Sequence, residues 1–158
     1  MEHSSERGRS VSIEVVDLMP GPREIVWELI TDWEHQGDWM LEASDFLVTS
    51  EHREGVGVEA RATVRIGGIR TRDRVRVSVW EPPERLVIDH LGWVRGRGDI
   101  RLTAADPDTL VVWLETLRAP LGIVGYLGLR LFVPLMRRAF RRDLRVLRGL
   151  VRARARST

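Results

Sequence analysis

Residues 121–156 limit the possible folds more than any other part of this chain. The segment opens as LGIVGYLGLRLFVPLM and closes as RRAFRRDLRVLRGLVRARAR, so an almost wholly apolar run passes into a row of arginines. One stripe runs through both halves. Leu129, Val133, Met136, Phe140, Leu144, Leu147 and Val151 follow at steps of three or four residues and share one face of a helix. Such a helix does not stand alone in water, because most of its stability comes from packing that face on something else. The rest of the chain must therefore supply a surface that holds it. Gly122, Gly125 and Gly128 each lower helix propensity by about 1 kcal/mol relative to alanine. Pro134 removes a helical hydrogen bond and predicts a kink, so the first half reads as a pliable roof and the second as a basic anchor. Residues 119–136 carry one charge, Arg130, and come close to the length of a membrane span. A central arginine costs roughly 2.5–3.5 kcal/mol on insertion, and with Pro134 and the glycines it favours a buried or surface-lying helix.

The chain has 158 residues, 43% hydrophobic and 30% charged, which suits one domain with a real core and argues against disorder. It has no cysteine, which excludes disulfides and thiol catalysis and fits a cytoplasmic location. MEHSSERGRS has no apolar run, so residues 1–10 read as a disordered tail rather than a secretory leader, and residues 11–156 as a single domain. All 25 basic residues are arginine, a bias that fits a GC-rich genome and removes lysine Schiff-base chemistry. Residues 137–156 hold nine arginines and one acid, Asp143, a net +8 that leaves −6 for the rest of a chain totalling +2. This asymmetry suits an anionic partner, either an acidic carrier protein or an anionic membrane surface. The plainer account is a solvated face whose cations complement the helix C-terminus.

Before the long helix, the chain reads as one strand, two short helices and six more strands. Residues 11–19 alternate branched side chains and end at Pro20-Gly21-Pro22; Pro22 suits a helix start, with Ile25, Val26, Leu29 and Ile30 on the buried face of residues 22–31. Asp32 is placed to cap a second short helix between Trp33 and Trp39. Breaks at Glu54-Gly55, Gly67-Gly68, Pro82-Pro83, Gly96 to Gly98 and Asp106-Pro107-Asp108 divide the remainder into strands near 45–53, 57–66, 69–80, 85–94, 97–104 and 109–118. Short connections make these strands antiparallel neighbours.

The Gly67-Gly68 pair fixes one register. A two-residue hairpin loop needs positive φ at both positions, so Ile66 opposes Ile69. One face then pairs Val58–Val77, Ala60–Val75, Ala62–Asp73 and Val64–Thr71, and the other pairs Glu59–Arg76, Arg61–Arg74, Thr63–Arg72 and Arg65–Arg70. The first is the core face, and the facing arginines of the second are tolerable only in water. In 85–94, Leu86, Ile88 and His90 are expected inside, because burying Asp89 costs more than burying a bonded histidine. In 109–118, the sets Trp113, Glu115, Leu117 and Val112, Leu114, Thr116 are each apolar enough to face inward, and a strand apolar on both sides can be covered on both.

Asp73, His90 and Glu115 are thus the candidate catalytic residues: a carboxylate beside a histidine in an apolar cavity can transfer protons. The competing account is that one or two of them face solvent or that they form a structural network. Small side chains at Ala60 and Ala62 leave room, and Trp39, Trp113 and Tyr126 complete the candidate ligand-binding set with these three polar residues. Trp33 belongs with Trp39 and Trp113 near the expected pocket mouth. The four histidines show no metal-ligand spacing, no Gly-x-Ser-x-Gly elbow or phosphate loop occurs, and nothing calls for a cofactor. The arginine row lacks interleaved stacking aromatics, which argues against nucleic acid.

The order of elements, with PREIVWELITDWEHQGDWM at 22–40, GRGDIRLT at 96–103, LVVWLET at 110–116 and PLMRRAFRRDLRVL at 134–147, resembles the START-like (helix-grip) superfamily, in particular its polyketide cyclase/dehydrase and lipid-transport branch. The resemblance implies an α+β fold: a seven-stranded antiparallel curved sheet wrapped around a long C-terminal helix, with two short helices after the first strand. It implies a hydrophobic cavity between sheet and helix for a lipid, a polyketide or another apolar or aromatic small molecule. Some members of the branch catalyse cyclisation or dehydration there and others only bind, and no universal catalytic motif transfers to numbered positions.

Overall fold

The structure, a computed structural model, describes residues 9–158. The expected tail lies outside the described residues except for Arg9 and Ser10. β1 (Val11–Met19) leads into α1 (Arg23–Thr31) and a 3-10 segment (Trp33–Asp38). Then come β2 (Ala43–Val48), β3 (Glu59–Ile66), β4 (Ile69–Glu81), β5 (Arg85–Leu91), β6 (Arg95–Ala105), β7 (Asp108–Arg118) and α2 (Gly122–Arg156). The seven strands form one antiparallel sheet in the order β1-β7-β6-β5-β4-β3-β2. β2 to β7 are a meander, while β1 crosses the whole sheet to pair with the last strand, Val11 opposite Leu117.

The hairpin of β3 and β4 has the register that its glycines demand. Ile66 opposes Ile69, Ala62 opposes Asp73, and Gly67 and Gly68 have φ of 58° and 81°. Arg61, Arg65, Arg70 and Arg74 are exposed, so water separates the like charges. Farther along β4 the alternation breaks. A bulge between Val77 and Val79 leaves Ser78 unmatched and brings Trp80 opposite Leu86, onto the core side with Val75 and Val77. There Trp80 packs edge-on to Trp27, with ring centroids 5.1 Å apart.

Several expectations need correction. The choice in β7 resolves to Thr109, Val111, Trp113, Glu115 and Leu117 inside; Leu110 and Leu114 are exposed, so the strand is covered on one side only. Gly96 and Gly98 are not in a turn but within β6, where a side chain at Gly96 would sit 2.1 Å from the Thr116 carbonyl oxygen. β2 is shorter and earlier than 45–53. Asp32 precedes the 3-10 segment but makes no capping bond, since its carboxylate is taken by His35 Nδ1 at 2.8 Å.

The helical run of α2 continues through Pro134 as one element. Its second half is well buried, through Met136, Ala139, Phe140, Leu144, Leu147 and Val151. Its far end lies so close to the β1–α1 turn that a side chain at Gly21 would be 3.1 Å from Val151. The first half has no fully buried residue, although Tyr126, Leu129, Phe132 and Val133 rest on the core. Gly125 is needed at the entry: a Cβ there would stand 1.7 Å from the Pro120 carbonyl oxygen.

Candidate functional site

Between sheet and α2 lies a cavity of about 220 Å³. That far exceeds the roughly 10–15 Å³ one water needs. Its aromatic wall is continuous. Trp113 stacks on Phe140 with centroids 4.6 Å apart, and Trp39 meets Trp113 edge-on at 6.0 Å. Trp33, Ile88, Leu129 and Met136 extend the apolar lining.

β4, β5 and β7 bring the three candidate acid–base residues together. His90 opposes Val75 in the β4–β5 register, and its ring lies between two carboxylates. Nδ1 bonds Asp73 Oδ2 at 2.5 Å. Nε2 stands 2.7 Å from Glu115 Oε1, an ion-pair contact outside hydrogen-bond geometry. Glu115 is held by Trp113, whose indole Nε1 donates to Oε2 at 2.9 Å; residues two apart on one strand share a face. Burial is the largest single influence on His90 and opposes its charge. The Glu115 carboxylate, the bond to Asp73 and the Asp73 charge together outweigh it and raise the pKa to about 10. His90 is therefore an imidazolium at neutral pH, with both ring nitrogens already engaged.

Two glycines make room for this cluster. A Cβ at Gly98, opposite Glu115 in the β6–β7 register, would lie 2.8 Å from Glu115 Oε2, and one at Gly92 would lie 2.7 Å from Asp73 Oδ1. Gly98→Ala is expected to fold, because the strand favours alanine over glycine by about 0.5–1 kcal/mol. It should push the Glu115 carboxylate away from Trp113 and His90. Proton titration of the His90 ring by NMR should then show its pKa dropping from about 10 toward its ordinary value. An unchanged titration would mean that the glycine is not what lets the cluster close.

A second polar cluster, absent from the sequence reading, sits elsewhere on the lining. Asp143 of α2 is only 1% exposed and lines the cavity with Glu42. The Leu41 amide donates to Asp143 Oδ1 at 3.4 Å, while Arg142 pairs with Glu42 and lies 3.5 Å from Asp143. Burial, then the neighbouring Glu42 carboxyl, pushes Asp143 up to about 7, against the Leu41 amide and Arg142. One signal was available: Asp143 stands three residues after Phe140 and one before Leu144, an acid on the apolar stripe of an otherwise arginine-rich helix. Glu42, in the short connection before β2, offered none.

Trp33, Trp39, Asp73, His90, Trp113 and Glu115 all line the cavity. Ala60 and Ala62 are buried but are not lining residues; they lie on β3 beside β2, against which the 3-10 segment packs. Tyr126 rests on the core outside the lining. Among the described residues, no group of three His, Asp or Glu side chains is arranged to hold a metal ion. Four buried side-chain polar atoms have no hydrogen-bond partner among these residues: Trp39 Nε1, Glu42 Oε2, Asp73 Oδ1 and Glu115 Oε1. Every one belongs to a residue lining this cavity.

An antiparallel seven-stranded sheet holding a long C-terminal helix over such a cavity defines a helix-grip protein. The chain belongs to the polyketide cyclase/dehydrase and lipid transport family, whose model matches residues 10–156. No curated protein sequence matches it. Among solved structures, it is similar to a protein of Thermus thermophilus, with 22% identity over 92% of this chain and 99% of the other and a TM-score of 0.79. It is also similar to the Zhui aromatase/cyclase of Streptomyces sp. R1128, with 17% identity over 92% and 95% of the two chains and a TM-score of 0.78. A third match is the di-domain aromatase/cyclase StfQ of the steffimycin biosynthetic pathway, with 12% identity over 97% of this chain and 54% of that one and a TM-score of 0.78. At these identities the likeness shows the fold alone.

Proposed function

We propose that this protein binds a hydroxylated, ring-bearing apolar molecule of polyketide-like character in the cavity. The observation that carries this reading is the gathering on one otherwise apolar and aromatic lining of four buried polar atoms that lack a hydrogen bond, of which Glu115 Oε1 alone has an ion pair, with His90. Native interiors leave few such atoms, because each costs about 1–3 kcal/mol when unpaired. Three of them are carboxyl oxygens of Glu42, Asp73 and Glu115, which would accept from ligand hydroxyls; the fourth, Trp39 Nε1, would donate to a ligand oxygen. The aromatic wall of Trp39, Trp113 and Phe140 suits a flat ring system.

The test compares a dihydroxynaphthalene with naphthalene by quenching of tryptophan fluorescence and by native mass spectrometry. The hydroxylated compound should bind one to one and more tightly, by about 10-fold or more for a hydrogen bond to a charged group. Asp73→Asn should reduce that preference. Equal affinities, or no binding of either compound, would leave the orphan atoms to water and refute the reading.

A second reading, catalysis of cyclisation or dehydration, has its own support. Proton transfer is most efficient when the pKa lies near the working pH. His90, raised to about 10, serves better as a fixed cation than as a shuttle, whereas Asp143, pushed up to about 7, meets the condition from the cavity wall.

A further inference from the structure

We infer that the outward face of α2 docks on an anionic lipid bilayer, with the first half of the helix entering the interface and the second half meeting the headgroups. Ile123, Val124, Leu127, Leu131 and Leu135 are exposed, Leu131 to 82%. Their spacing places all five on one side of the helix, opposite the stripe that rests on the core. Large aliphatic side chains grouped in water mark an interaction surface. Continued at the same spacing, this side of the helix carries exposed Arg138, Arg141, Arg142 and Arg145.

These arginines belong to a groove of about 850 Å³ that also includes Arg65 and Arg148 and reaches Leu135 and the hairpin glycine Gly67. Two acids, Asp17 and Glu42, lie in it, and each is already paired: Asp17 with Arg148 at 3.0 Å, Glu42 with Arg142. Among the described residues, no acid forms an ion pair with Arg65, Arg138, Arg141 or Arg145. Four unneutralised cations in one concavity are complementary to lipid phosphates and carboxylates.

The join between the two halves decides the kind of partner. A purely acidic protein surface would use the arginines and leave the aliphatic residues in water. A bilayer uses both, since an interfacial helix sinks its apolar side by about 5–10 Å while its cations stay at the headgroups. No helix among the described residues is long and apolar enough to cross a membrane, so the contact is one of lying on the surface. Leu129, on the inner side of the same apolar half, lines the ligand cavity. A bilayer would therefore touch the helix that roofs the site.

The experiment is co-sedimentation of the full chain with vesicles of phosphatidylcholine alone or with about 30 mol% phosphatidylserine, at salt from about 0.05 to 0.5 M. Binding is expected on the anionic vesicles, weakening as salt rises. Replacing Arg138, Arg141 and Arg145 with glutamine should reduce it by roughly 100-fold, at about fivefold per arginine. Leu131→Asp with Val124→Asp should reduce it by at least about tenfold. Both positions are exposed, and circular dichroism checks that each variant is folded. Three outcomes would overturn the inference. One is the absence of binding to anionic vesicles at low salt. Another is binding lost with the arginines but indifferent to Leu131 and Val124, which assigns the groove to an acidic polypeptide. The third is a dimer in solution that Leu131→Asp dissolves, which assigns the apolar face to a second copy.

Discussion

At pH 8, Asp143→Asn should unfold at a higher temperature than the wild-type protein. Asp143 is buried, and its pKa is raised from 3.8 to about 7. A raised folded-state value means that the protonated form is the one the fold prefers. The associated stability is fully present below the unfolded value, is lost as pH rises through about 7, and is absent at pH 8. Asparagine keeps the oxygen that accepts from the Leu41 amide, removes the charge, and gains an N–H₂ that can donate to Glu42. Because the Glu42 carboxyl beside it disfavours the charge and Arg142 favours it, a gain of roughly 1–3 kcal/mol is expected, or about 3–10 °C in Tm for a domain of this size. At pH 4, where the wild-type carboxyl is largely protonated, the two melting curves should nearly coincide. A variant less stable than wild type at pH 8 would mean that the ionised carboxylate is a stabilising partner of Arg142. If Asp143 also transfers protons to or from a bound molecule, the same substitution will abolish turnover while raising stability.

Replacing His90 should have the opposite sign. Among the described residues the imidazolium is the one cation paired with Asp73 and Glu115, its side chain is 23% exposed, and the two carboxylates are buried further. His90→Ala leaves two negative charges facing a space, which typically costs about 3–5 kcal/mol. Urea unfolding at pH 7 should show a loss of that size, shrinking toward pH 4 as the carboxylates gain protons. Adding Asp73→Asn and Glu115→Gln should restore much of the stability. In the wild type, the His90 contribution is fully present below pH 6.5 and lost as pH rises through about 10. Alkaline unfolding therefore belongs to this residue, whereas Asp143 contributes to a decline between about pH 4 and about pH 7. A His90→Ala protein as stable as wild type would reduce the cluster to a surface arrangement.

The parts of the molecule that obey a period were legible from sequence. The seven-residue stripe of α2 marks the buried side of that helix. The glycine-defined register between β3 and β4 puts Asp73 on the core face, and His90 follows from the cost of burying Asp89. What escaped are places where one residue interrupts the period or where two segments meet. The bulge at Ser78 reverses the facing of β4 and sends Trp80 inward, and no local signal marks it. β7 is apolar on both sides, so alternation could not choose a face; the choice rests on Trp113, Glu115 and Leu117 fitting against α2 and β5. Ala60 and Ala62 suggested space because small side chains stand there, but space depends on what lies opposite them. Asp143 stands on the apolar stripe but was read only as a charge to be summed, and its importance comes from Glu42, about a hundred residues away in the chain.

The pairing of β1 with β7 has a consequence for how the protein comes into being. Val11 meets Leu117 only after the meander between them has been made, and α2 follows later still. Contacts so distant in sequence must overcome the entropy of closing a long loop before they reward it, which makes folding slow and late. On the ribosome, β1 therefore waits without its neighbour while most of the chain emerges, and the branched side chains at Val11, Ile13 and Val15 lack cover during that interval. The cavity takes one wall from α2, through Leu129, Met136, Phe140 and Asp143, so it is not closed until that helix packs on the sheet.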